Sequence, residues 1–151
     1  MMGIGAENLH LKKLSILLVF VTLISTGCKA FQAGGSELPL PSQWKLESYG
    51  EISAQTPVVA GSTATLELNE NGLASGNGGC NSYGSNYEMQ DKTITFKEVV
   101  STLMACADDK TMQQEAEYFQ ALQAASEYKV SDKHLTILYD DGRKALIFIR
   151  Q

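Results

Sequence analysis

Gly76-Asn77-Gly78-Gly79-Cys80-Asn81-Ser82-Tyr83 and, further along, Thr102-Leu103-Met104-Ala105-Cys106 are the two runs around which the rest of the chain arranges itself. The first sets three glycines among two asparagines, a cysteine, a serine and a tyrosine; the second ends on another cysteine. Glycine lacks a Cβ and so permits bulges, sharp bends and close approach of neighbouring strands. The first run therefore reads as a place where a sheet bends tightly. A phosphate-cradling loop is the competing reading, but it needs Lys and then Ser or Thr after its final glycine. Cys80-Asn81 stand there instead, and no dinucleotide fingerprint opens a helix.

On both sides of these runs the residues alternate with period two, the signature of strands. Upstream, Trp44 to Tyr49 is a first strand, and a loop with Pro57 and Gly61 leads to Ala64-Thr65-Leu66-Glu67-Leu68. Ala64, Leu66 and Leu68 share one face of that strand. Asn69-Glu70-Asn71-Gly72 predicts a hairpin turn, because Asn and Gly tolerate the positive φ of tight hairpins. Leu73 to Asn77 then returns as its partner. Downstream, Tyr83 to Met89 and Thr93 to Phe96 flank a turn at Gln90-Asp91-Lys92.

After Cys106 the period changes. Asp108 or Asp109 can cap a helix over 111–124, in which Met112, Ala116, Phe119 and Leu122 recur at helical spacing. Glu127 to Val130, Leu135 to Tyr139 and Lys144 to Ile149 complete the strands, the last two joined by a turn at Asp140-Asp141-Gly142-Arg143. The expectation is a mainly β domain: a small antiparallel β-barrel of about eight strands with one inserted α-helix.

A chain of 151 residues with 44% hydrophobic and 19% charged residues suits one folded domain with a real core. Its net charge of -5 and the absence of any basic run argue against a nucleic-acid partner.

The N-terminus reads as an address. Lys12 and Lys13 precede the apolar run Leu14 to Ile24, far short of the roughly 20 residues of a membrane-spanning helix but suited to a secretory signal. The run ends in Ser25-Thr26-Gly27-Cys28, which resembles the lipobox of bacterial lipoproteins, with Ser25 where that motif prefers an aliphatic residue. The alternative is an ordinary signal peptide with a leftover cysteine. The resemblance implies a signal peptide over 1–27, lipidation of Cys28 and attachment to a membrane through that anchor. By similarity to enteric lipoproteins, Lys29 in the next position favours the outer membrane. Cleavage removes Glu7, Lys12 and Lys13, leaving 10 basic and 16 acidic residues. Residues 28–42, with Gly34, Gly35, Ser36, Pro39 and Pro41, read as a flexible tether stiffened at its end, before a domain over 43–151.

Gly76, Gly79-Cys80-Asn81, Tyr83 and Tyr87, followed by Thr102, Met104 and Cys106, resemble the META/HslJ family of small bacterial domains. Trp44-Lys45-Leu46 at the start and Leu146-Ile147-Phe148 at the end are similar to that family too. The resemblance implies a barrel-like β fold, a lipid-anchored or periplasmic setting and a link to heat or antibiotic stress. It carries no catalytic residues.

In an oxidising envelope Cys80 and Cys106 most simply form a disulfide, which stabilises the fold by about 3.5 kcal/mol on the chain-entropy estimate. Two buried thiols are the alternative in a reducing compartment. A third reading is a reactive thiol with His134 as base and Asn81 as orienter. Zinc has little support, because the sequence has no close pair of Cys or His, and no cofactor is expected. Tyr83, Tyr87, Phe96, Phe119, Tyr128 and Tyr139 read as barrel core, and Met112, Phe119 and Leu122 as the helix face that covers it. Glu115, Glu117, Asp140 and Asp141 read as a solvated face. The functional expectation is a non-enzymatic envelope lipoprotein, a binding or accessory module in stress tolerance with an unknown envelope protein as partner. A carrier holding a small apolar ligand in the barrel and a cysteine-dependent enzyme are the alternatives.

Overall fold

The computed structural model describes residues 37–151. Cys28, the signal peptide assigned to 1–27 and most of the tether lie outside them. The elements are β1 (Ser42–Glu51), β2 (Thr56–Pro57), β3 (Thr65–Leu68), β4 (Leu73–Asn77), β5 (Ser82–Gln90), β6 (Thr93–Ser101), α1 (Asp109–Gln123), β7 (Glu127–Val130), β8 (His134–Tyr139) and β9 (Lys144–Arg150).

Every strand pairing is antiparallel. The order is β2-β1-β3-β4-β5-β6-β7-β8-β9, and β1 also pairs with β9. Eight strands thus close into a barrel-like ring, with the two-residue β2 as an appendage on β1. The expected mainly β fold with one helix is what forms. Strand β1 shows why: Ser42, Trp44 and Leu46 point inward while Gln43, Lys45 and Glu47 point out. A register irregularity between Leu46 and Ser48 then turns Tyr49 inward.

The ring is unevenly closed. Strands β1 and β9 match over seven residue pairs, from Trp44↔Arg150 to Glu51↔Lys144. Strands β6 and β7 meet only at Thr93↔Glu127, flanked by Ile94 N–H donating to Ser126 O at 3.1 Å and Tyr128 N–H to Lys92 O at 2.8 Å. The chain between β6 and β7 holds α1, which packs against β6 and β9. The core is apolar and full: Trp44, Leu66, Ile94, Tyr118, Leu122, Leu135, Ile137, Leu146 and Phe148 are all wholly buried.

Three expectations need correction. The folded part begins before Trp44: Leu38 is buried in the core, and β1 starts at Ser42, so the tether ends earlier than residue 42. Leu38 is aliphatic and leaves water as readily as any strand residue. The helix face is also only partly as expected: Leu122 is buried and Phe119 packs against the core, but Met112 and Ala116 are exposed, while Gln114, Glu115, Tyr118 and Ala121 are buried. Apolar spacing alone misplaced the face, because the helix buries two polar residues that find hydrogen-bond partners in neighbouring loops. For the same reason Glu115 is not part of a solvated face.

Asp108 is the N-cap of α1, accepting from Thr111 N–H through Oδ1 at 2.9 Å and from Thr111 Oγ1 through Oδ2 at 2.7 Å. The backbone bond from Thr111, with the hydroxyl bond behind it, holds its carboxyl below the ordinary value.

Candidate functional site

The β4–β5 connection, the loop after β6 and the first turns of α1 converge around Cys80. Gly76 and Gly78 make the convergence possible. A Cβ on Gly76 would lie 2.2 Å from Thr65 O across the β3–β4 ladder. One on Gly78 would meet Phe119 Cζ at 2.7 Å and Glu115 Cγ at 2.9 Å, so only glycine lets the helix come this close. Gly76 answers to the close approach of a neighbouring strand, as the sequence reading of the glycine run anticipated, whereas Gly78 makes room for side chains of the helix.

Glu115 and Gln114, adjacent on α1, each hold one loop. Glu115 Oε2 accepts from Cys80 N–H at 3.0 Å and Asn81 N–H at 2.6 Å, and its Oε1 accepts from Asn81 Nδ2 at 2.6 Å. Gln114 Nε2 donates to Ser62 Oγ at 2.7 Å, and its Oε1 accepts from Val59 N–H at 2.7 Å. Asn81, itself buried, passes the constraint outward. Its Oδ1 accepts from Met104 N–H at 2.8 Å and Thr102 Oγ1 at 2.8 Å, while its Nδ2 donates to Met104 O at 3.1 Å. The side-chain amide thus does for Met104 what a neighbouring strand's peptide group would do.

Cys80 and Cys106 are joined in a disulfide with a Cα–Cα distance of 5.7 Å, as expected for the pair. The loop between β6 and α1 is therefore pinned at Thr102, Met104 and Cys106. The side chains it carries point to solvent: Leu103 is 96% exposed and Met104 62%, with Val100 at the end of β6 at 69%.

Of the motif residues, Cys80, Asn81, Thr102, Met104 and Cys106 meet here, with Gly79 beside Gln114 Nε2. Tyr83 lies beneath them. Its hydroxyl is 2.8 Å from Tyr118 Oη, and both tyrosines donate to Thr65 O, at 3.1 Å and 2.9 Å. Burial pushes both phenols well above their ordinary pKa. Tyr87 is not part of the cluster; it donates to Asn69 O in the β3–β4 hairpin. His134 Nε2 lies 3.3 Å from Glu47 Oε2 on β1, so its charged partner is on the ring wall, while the two sulfurs pair with each other. Sequence reasoning missed Glu115 and Gln114. The available signal was their helical spacing: Glu115, Tyr118 and Leu122 stand at i, i+3 and i+7, on the face that carries the apolar residues.

The model of the META domain family matches residues 37–151. This chain belongs to the META domain family. The match starts at Glu37, in agreement with the burial of Leu38. No curated protein matches the chain. Among solved structures, this META domain is similar to the NMR structure of a protein from Burkholderia xenovorans, at 25% identity and a TM-score of 0.63, over 80% of this chain and 96% of that one. It is also similar to the crystal structure of a DUF4847-family protein from Bacteroides vulgatus, at 11% identity and a TM-score of 0.53, over 72% of this chain and 92% of that one. The second likeness is one of fold alone.

Proposed function

We propose that this META domain is a non-enzymatic binding module, carried on an envelope lipoprotein anchored at Cys28 in the outer membrane, and that it supports tolerance of heat or antibiotic stress. Its partner is another envelope protein, and the loop from Thr102 to Cys106 is the element that meets it. One observation carries this reading: Leu103 and Met104 are held out in water by a disulfide, a buried amide and a buried carboxylate. Ordering a loop costs roughly 1–2 kcal/mol of backbone entropy per residue. A rigid apolar projection recovers that cost on binding, since less order remains to be imposed. While Cys80 is bonded to Cys106 it offers no thiolate, which favours the non-enzymatic reading over a cysteine-dependent enzyme.

A photoreactive amino acid placed at Leu103 in the living cell tests this. The expected result is a discrete cross-linked partner in the membrane fraction, absent when the probe replaces exposed Asp132 in the β7–β8 turn. Equal backgrounds at both positions would rule the loop out as the contact.

A second reading, an apolar-ligand carrier, has one observation in its favour. An open groove of about 710 Å³ is lined by Leu38, Leu40, Met89, Tyr128 and Val130 where β7 passes the β5–β6 turn. That volume is within the roughly 300–1,000 Å³ of small-molecule sites. The ligand would sit at this end of the ring, because the interior is occupied by side chains. Native mass spectrometry of the chain isolated from its host would detect it as added mass.

A further inference from the structure

A disulfide needs no carboxylate beside it, yet Glu115 is buried with Oε1 3.9 Å from Cys106 Sγ. Its hydrogen-bond partners are neutral dipoles: Cys80 N–H, Asn81 N–H and Asn81 Nδ2. Among the described residues, Lys97 pairs with Glu88, Arg143 and Lys144 pair with Asp140, and His134 lies beside Glu47; no basic side chain reaches Glu115. These three hydrogen bonds are therefore all that offsets the burial of the carboxylate. Two sulfurs stand beside it, and one ligand atom from each of Cys80, Cys106 and Glu115 lies within 4.8 Å of the others. The distance in sequence that argued against a metal is removed by the fold.

We propose that Cys80, Cys106 and Glu115 form a thiol-gated site for a thiophilic divalent cation of the zinc class, closed while the sulfurs are bonded to each other and opened by reduction. A dithiol reductant passes two electrons to the Cys80–Cys106 bond, which breaks as the sulfurs take up two protons, and the reductant is left as its own disulfide. The cation then displaces both thiol protons to solvent and is held by two thiolates and one carboxylate oxygen. The Cα–Cα distance of 5.7 Å lets both sulfurs reach one ion at roughly 2.3 Å. Glu115 Oε1 accepts one hydrogen bond and keeps a lone pair for the ion, while Oε2, engaged by two backbone N–H groups, fixes the carboxylate's orientation. Cys80 and Cys106 are only partly buried, so reductant and ion can reach them. This site is independent of whether the neighbouring loop meets a protein.

The test uses the full chain carrying Cys28→Ser, so that Cys80 and Cys106 supply its thiols. Oxidised and reduced samples are titrated with Cd²⁺ and followed by the thiolate-to-cadmium charge-transfer band in the ultraviolet. The expected result is no band in the oxidised chain and, after reduction, a band that saturates at one ion per chain. Cys106→Ser should abolish it and Glu115→Gln should weaken binding at least about tenfold. Because Glu115→Gln also disturbs the loop, X-ray absorption at the zinc edge on the reduced, zinc-loaded parent chain should count two sulfur neighbours plus oxygen. A missing band, an equal band in Cys106→Ser, unchanged affinity in Glu115→Gln or a four-sulfur shell shared between two chains would each overturn the proposal. If reduction unfolds the chain, recovery of its circular dichroism on adding Zn²⁺ supports the site, and failure to recover refutes it.

Discussion

Where β1 meets β9, the molecule is held by seven matched residue pairs and by apolar side chains with no access to water, Trp44, Leu146 and Phe148 among them. Around Cys80 it is held by a carboxylate, two side-chain amides and a disulfide, and the residues presented there face solvent. The first region is stable because burying apolar surface is favourable and needs no directional partner. The second cannot draw on that force, since Leu103 and Met104 bury little. Shape in such a loop has to come from directional bonds and a covalent link. One construction maintains the fold; the other maintains a surface.

Three substitutions test that contrast, and their effects should fall in this order. Phe148→Ala empties a wholly buried position that also packs edge-on against Tyr118, ring centroids 6.2 Å apart. It should cost about 3–5 kcal/mol, read as a lower denaturant midpoint for the whole ring. Asn81→Ala removes the amide that pairs with Met104 and leaves Cys80, Glu115 and Thr102 with fewer partners. A cost of about 1–3 kcal/mol is expected. Its mark should be local, with faster amide hydrogen exchange at Met104 while the amides of β9 keep their protection; equal loss in both places would mean that clamp and ring are one cooperative unit. Leu103→Ser touches an exposed side chain and should move stability by no more than about 0.5 kcal/mol. If the loop is a contact surface, the same substitution should nonetheless remove cross-linking to its partner.

Much of the ring was legible in the residues. Alternation in Trp44-Lys45-Leu46 and in Thr65 to Leu68 reports directly which side of a strand faces inward, because the pleat has period two. The turn at Asn69 to Gly72 was legible for a similar reason: Gly72 has φ of 75°, a conformation that its sequence advertises. The clamp was only half legible. Cys80, Asn81, Thr102, Met104 and Cys106 stood out as two unusual runs, but Glu115 looked like one more surface carboxylate. Its role depends on a helix that returns from beyond the second run to a loop some thirty residues earlier, and no local pattern encodes that distance. The turn of the helix face failed similarly, since Met112 is apolar but exposed while Gln114 is polar and buried.

By itself, then, the sequence determined the strands, their turns, the place of the helix and the pairing expected of Cys80 with Cys106, because each rests on local backbone preference, on period or on the chemistry of a residue type. The tertiary structure decided that the strands close through β1 and β9, that the seam at β6 and β7 is met by a single residue pair, and that Glu115 meets Asn81 and the two sulfurs. Those outcomes arise from packing between residues far apart in the chain, where burial and hydrogen-bond satisfaction, rather than local preference, select the partner.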